Sequence, residues 1–158
     1  MRESTIHALV VARTLLEQAG PLCSSEDRYL ASTGLVVLQD ALEAVLYALL
    51  LECGVDDEKN LERKSFDELI GELKVSGVDV PRSGTLKALN KQRVLVKHYA
   101  QLAEPAMVRS YYAASQAAIT SMTTQVLGQS LRDLFIADLL SEGEAKALLK
   151  TAEQAIKE

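Results

Sequence analysis

The stretch from Tyr29 to Leu51 most limits what this chain can become. Val36, Val37, Leu38, Leu42, Val45, Leu46, Leu49 and Leu50 follow one another with few polar breaks. A segment so apolar must be covered on several sides. It is long enough to span a bilayer, but Gln39, Asp40 and Glu43 stand near its middle, where carboxylates make insertion costly. The expectation is therefore a buried helix at the centre of a helical domain, with no membrane involved. Ser24, Ser25, Glu26 and Asp27 open it, and Cys53-Gly54 closes it.

The rest of the chain reads as further helices and no strands. A first helix is expected over Ser4–Gln18, ending at Gly20-Pro21. Ser65 with Glu68 has the spacing of a capping box for a short helix, Phe66–Lys74. Ser83 or Thr85 is expected to cap a fourth helix ending near Ala103. Pro105 suits the first position of a fifth helix running toward Phe135, with a weak point at Gly128. Ser141 and Glu144 suggest a last capping box, for a helix to about Lys157. With 158 residues, no internal repeat and short connections, residues 1–158 read as one all-α domain, an antiparallel bundle of five to six helices.

Composition removes several function classes. Two cysteines, Cys23 and Cys53, supply no disulfide framework and read as small buried side chains. Two histidines far apart give no histidine-rich zinc site, so no metal and no cofactor are expected. No phosphate-cradling glycine loop, zinc-protease helix or nucleophile elbow occurs. The N-terminus lacks the uninterrupted apolar centre of a secretory signal, and a cytoplasmic protein is the expectation.

Charge is distributed unevenly. Between Pro81 and Ala103 lie Arg82, Lys87, Lys91, Arg93 and Lys97 with no acidic residue, leaving 12 basic against 22 acidic side chains elsewhere. Such a segment can address a phosphate locally, or be neutralised by acidic neighbours in the bundle. On a helical wheel, Leu86, Leu89, Leu95, Val96, Tyr99 and Ala100 lie in an apolar arc over more than half the circumference. Lys97, Asn90, Lys87, His98 and Lys91 form the remaining strip, interrupted by Val94. That balance suggests a helix central to the bundle, with Tyr99 in the core.

Leu89-Asn90-Lys91-Gln92-Arg93-Val94-Leu95-Val96-Lys97-His98-Tyr99 resembles the R-x4-6-H signature of HEPN domains. The apolar second helix and the Ser65–Ile70 element resemble the family's bundle layout. A second match to the spacing, Arg2 to His7, is read as coincidental. The chain departs from the family at Val94, where a polar residue, often Asn, follows the arginine. The resemblance implies a metal-independent endoribonuclease of the toxin or defence-effector type, working as a homodimer with the motif helices meeting across the two-fold. Arg93 and His98 are then catalytic, and Asn90, Lys97, Lys91 and Lys87 help to bind substrate. Partners implied are RNA and a cognate antitoxin or larger defence protein.

The chemistry fits these residue types. An imidazole exchanges protons near neutral pH while an RNA 2′-hydroxyl attacks, and a guanidinium forks onto the phosphate as charge develops. Because Arg93 and His98 stand about 140° apart on one helix, they do not readily converge on one atom, whereas residues from two chains can. Three alternatives stay open. Arg93 can be a structural partner of Asp40 or Glu43, His98 can be a plain polar-face histidine, and the whole domain can be a non-catalytic dimeric module for protein interaction or for RNA or nucleotide sensing.

Overall fold

A computed structural model describes residues 1–134 and 144–157. Among these residues there are six α-helices and no strand: α1 (Glu3–Cys23), α2 (Arg28–Glu52), α3 (Phe66–Val75), α4 (Ser83–Tyr99), α5 (Pro105–Leu127) and α6 (Glu144–Lys157). Short 3-10 turns occupy Val55–Asp57, Leu61–Arg63 and Leu131–Asp133.

The apolar run becomes the axis of the bundle. Asp27 caps α2 by accepting hydrogen bonds from the backbone N–H groups of Tyr29 and Leu30, at 2.9 Å each. From there α2 packs against α1, α3, α4 and α5. Leu35, Leu38, Leu42, Val45, Leu46, Leu49 and Leu50 are all fully buried. This is a helix that by length and composition alone could cross a membrane; here most of it is enclosed by its neighbours.

Ion pairs and caps show how the helices run. Arg2, just before α1, bonds to the Leu51 carbonyl and Asp56 beyond the end of α2, so α1 and α2 are antiparallel. The Ala103 N–H donates to Ser32 Oγ near the start of α2, making α4 antiparallel to α2 as well. By contrast, Arg109 near the start of α5 pairs with Glu26 just before α2. Helices α2 and α5 thus run the same way, and the bundle is not antiparallel throughout. The cause is topological: α4 returns the chain to the end where α2 began, and α5 sets out from there.

Boundaries agree in part with expectation. Ser65 and Glu68 form the capping box of α3. Helix α5 does not run on toward Phe135: the weak point at Gly128 becomes its end, in the left-handed conformation at φ 73°. Helix α1 does not stop at Gly20-Pro21 but continues to Cys23. Pro21 lies in the last turn, where it costs one hydrogen bond, and buried Ala19 and Cys23 hold that turn against the core. Neither Ser83 nor Thr85 caps α4; Arg82 is its N-cap, and Ser83 Oγ accepts from Lys74. That helix ends four residues short of Ala103, at Tyr99, where Ala100 turns left-handed at φ 53°. The expected Ser141 cap and Phe135 fall outside the described residues.

Two glycines on helices differ in what surrounds them. A methyl group added at Gly71 in α3 meets nothing within 4 Å. Gly71→Ala therefore gains helix propensity alone, and a urea melt should show stabilisation of about 0.5–1 kcal/mol.

The α2–α3 connection is clasped by one carboxylate. Glu72 receives Lys59 at 2.5 Å and Lys64 at 2.8 Å, and hydrogen bonds from these two ammonium groups hold its carboxyl below the usual range. A depressed folded-state value contributes stability above the unfolded carboxylate pKa, and that contribution disappears as pH falls through the lower folded value. Melts between about pH 3 and 6 should show this acid-side loss, and Glu72→Gln should flatten the profile there.

Candidate functional site

Helix α4 positions every residue of the motif, but it lies at the edge of the bundle and not at its centre. Only Leu86 and Leu89 are buried on it. Tyr99 is 68% exposed and Val94 37% exposed, while Ala88 and Ala100 are also exposed. The expected core place of Tyr99 is thus overturned. A wheel counts apolar residues but not neighbours: α2 already fills the centre, and α4 is gripped along one side only.

That side determines where the motif residues go. Leu86, Leu89, Arg93 and Val96 point toward the bundle, whereas Lys91, Lys97 and His98 are exposed. Asn90 and Lys87 are half-buried, and Lys87 approaches Asp67 at 3.7 Å. Among the described residues, no ion pair engages Lys91 or Lys97. Arg93 and His98 are not brought together within one chain. Five residues of helix separate them by roughly 7.5 Å along the axis and about 140° around it.

Arg93 is held from the α2 side. Its Nη2 donates to Asp40 Oδ1 at 3.2 Å, and its side chain is 18% exposed against 44% for Asp40. The Arg93 Nε is buried without a hydrogen-bond acceptor among the described residues. Of the two carboxylates that the sequence offered to Arg93, the pairing is thus with Asp40. Glu43 instead accepts from the Gln39 amide at 2.7 Å.

Below this pair opens a cleft of about 530 Å³ between α1, α2, the Leu61–Arg63 turn and α3. Asp40, Glu43 and Tyr47 line it from one face of α2, Glu62 and Lys64 from the connection, and Arg93 from α4. The i, i+3, i+7 spacing of the α2 residues was legible in the sequence. Glu62 and Lys64 carried no signal, because only the fold brings their loop across α2.

Other candidates acquire structural roles. Arg2 is engaged by Asp56 and Asp57, and His7 is exposed, which leaves their motif-like spacing without a shared site. Burial pushes the Cys23 thiol up to about 12, unsuited to a nucleophile. Cys53, expected to be buried, is exposed because it caps the end of α2. Among the described residues, no group of three or more His, Cys, Asp or Glu is placed to hold a metal ion. Compared with protein-family models, curated proteins and solved structures, the chain matches none.

Proposed function

We propose that the protein is a cytoplasmic, metal-independent endoribonuclease of the HEPN type, a toxin or defence effector whose site is completed when two copies meet along α4. One observation carries this reading: α4 turns His98, Lys91 and Lys97 outward together, on a face that also exposes Val94 and borders exposed Tyr99. A basic strip with apolar side chains beside it suits both a phosphate backbone and a self-complementary contact. The resemblance to HEPN domains rests on the motif residues and the helical layout.

In this reading the RNA 2′-oxygen attacks the adjacent phosphorus while the bond to the 5′-oxygen breaks. The products are a 2′,3′-cyclic phosphate and a free 5′-hydroxyl. His98 takes the proton of the 2′-hydroxyl, and a second imidazole, from the other copy, protonates the leaving oxygen. Arg93 meets the phosphate with guanidinium donors that Asp40 does not use, and Asp40 keeps the side chain oriented. Asn90, Lys87, Lys91 and Lys97 guide the strand. RNA is the substrate, and an antitoxin or larger defence protein is the partner that holds the activity in check.

The test is incubation of total cellular RNA with the purified chain in excess EDTA, with the oligomeric state measured on the same sample. Cleavage by a dimer, leaving cyclic-phosphate ends, is the expected result. A folded dimer that leaves RNA intact favours the second reading, a non-catalytic interaction or sensing module. The engagement of Arg93 by Asp40 is the observation that supports that alternative.

A further inference from the structure

We propose that the cleft beneath Arg93 is a binding site for a small aliphatic di- or polyamine. Five ionisable side chains line the cleft: Asp40, Glu43, Glu62, Lys64 and Arg93. Both cations have partners, Arg93 on Asp40 at 3.2 Å and Lys64 on Glu72 at 2.8 Å. Among the described residues neither Glu43 nor Glu62 has a cationic partner. These two carboxylates come from different walls, Glu43 from α2 and Glu62 from the loop over it.

Glu43 is fixed in place. Gln39, 1% exposed, donates its amide to Glu43 Oε2 at 2.7 Å, leaving Oε1 without a donor among the described residues. Tyr47 follows one turn later on the same face and contributes an aromatic ring, which attracts an ammonium group over its surface. Ala8, Ala44, Leu61 and Leu69 add apolar lining to the same cleft. Two carboxylates on different elements of one cleft, together with its apolar lining, match an alkyl chain carrying an ammonium at each end. A hydrated divalent ion matches less well, because it seeks oxygens clustered at one point and gains nothing from an apolar floor. Inside the cleft an anion is disfavoured, since the lining carries three carboxylates against two cations.

The experiment is calorimetric titration and thermal melting of the full chain with putrescine and spermidine at fixed ionic strength, beside magnesium chloride and butylamine. Saturable binding of the diamine and triamine is expected, with butylamine weaker and magnesium giving no comparable shift. Glu43→Gln and Glu62→Gln should each weaken binding about tenfold, the loss of one charge-assisted hydrogen bond. Tyr47→Leu should weaken it too. Glu3→Gln, an exposed carboxylate on α1 away from the cleft, should leave it unchanged. Circular-dichroism melts of each variant without ligand separate loss of binding from loss of fold. Stabilisation by magnesium equal to that by spermidine, binding that survives Glu43→Gln with Glu62→Gln, or no binding at millimolar amine each overturns the proposal. The readout is binding, so absence of ribonuclease activity does not bear on it.

Discussion

Replacing His98 with alanine should reduce metal-independent RNA cleavage by about 10²- to 10⁴-fold, the range spanned by a lost general acid or base. Rates of cyclic-phosphate production in EDTA measure it. The expected loss is in turnover and not in folding, because His98 is exposed and lies on the side of α4 turned away from the bundle. Its melting temperature and dimer content should match those of the unchanged chain. Arg93→Ala is a less clean test, since it also leaves Asp40 without its cation. Unaltered cleavage by His98→Ala would remove the nuclease assignment, and the oligomeric state of His98→Ala is the control that distinguishes loss of the site from loss of assembly.

Gly34→Ala should cost about 2–3 kcal/mol, within the range for side chains forced into filled space. At Gly34, α2 passes the last turn of α1 so closely that an added Cβ meets Cys23 N at 2.7 Å and both Leu22 C and Leu22 Cβ at 2.8 Å. Two of these atoms are backbone, so relief requires moving a helix and not turning a side chain. Alanine's better helix propensity, worth about 1 kcal/mol, does not offset that. For a domain of this size, the loss should lower the melting temperature by about 5–10 °C, against a rise for Gly71→Ala. A Gly34→Ala variant as stable as the parent would mean that α1 and α2 do not approach this closely.

The same contrast shows how far the sequence could be read. Both glycines occupy helical stretches, and nothing in the neighbouring residue types tells them apart. Gly34 is confined because α1 ends against it, a fact of packing. Elements whose signals are local were legible: the Ser24–Asp27 opening of α2, the Ser65–Glu68 box of α3 and Pro105 at the start of α5, whereas Gly128 was visible only as a weak point in a helix expected to continue toward Phe135. Where a distant contact overrides the local signal, the reading failed. Pro21 is absorbed into α1 by the burial of Ala19 and Cys23, and Ser83 gives up capping to accept from Lys74.

For the candidate site, the wheel of α4 separated Arg93 from His98 correctly, because angular spacing is intrinsic to a helix. It could not say which of the two faces the bundle. Apolar side chains occupy more than half of α4, yet only the sector around Leu86 and Leu89 is covered, since α2, α3 and α5 reach it from one side. The basic strip was evident from the residues; its exposure was not. Asp40 and Glu43 were visible as the only carboxylates within the apolar run, but their division of labour depends on which neighbour stands within reach.

By itself, then, the sequence determined what depends on near neighbours: helices without strands, a largely apolar second helix, the capping of α3, and a helix that separates its one arginine from its histidine. Tertiary structure alone decided that α2 and α5 run in the same direction, that α4 lies at the edge, that Asp40 rather than Glu43 takes Arg93, and that Glu62 lines the same cleft as Glu43. The physical reason is range. Propensity, capping and periodicity act over about four residues and are written in order along the chain. Burial and ion pairing depend on groups 53 residues apart, as Arg93 and Asp40 are, and only folding makes them neighbours.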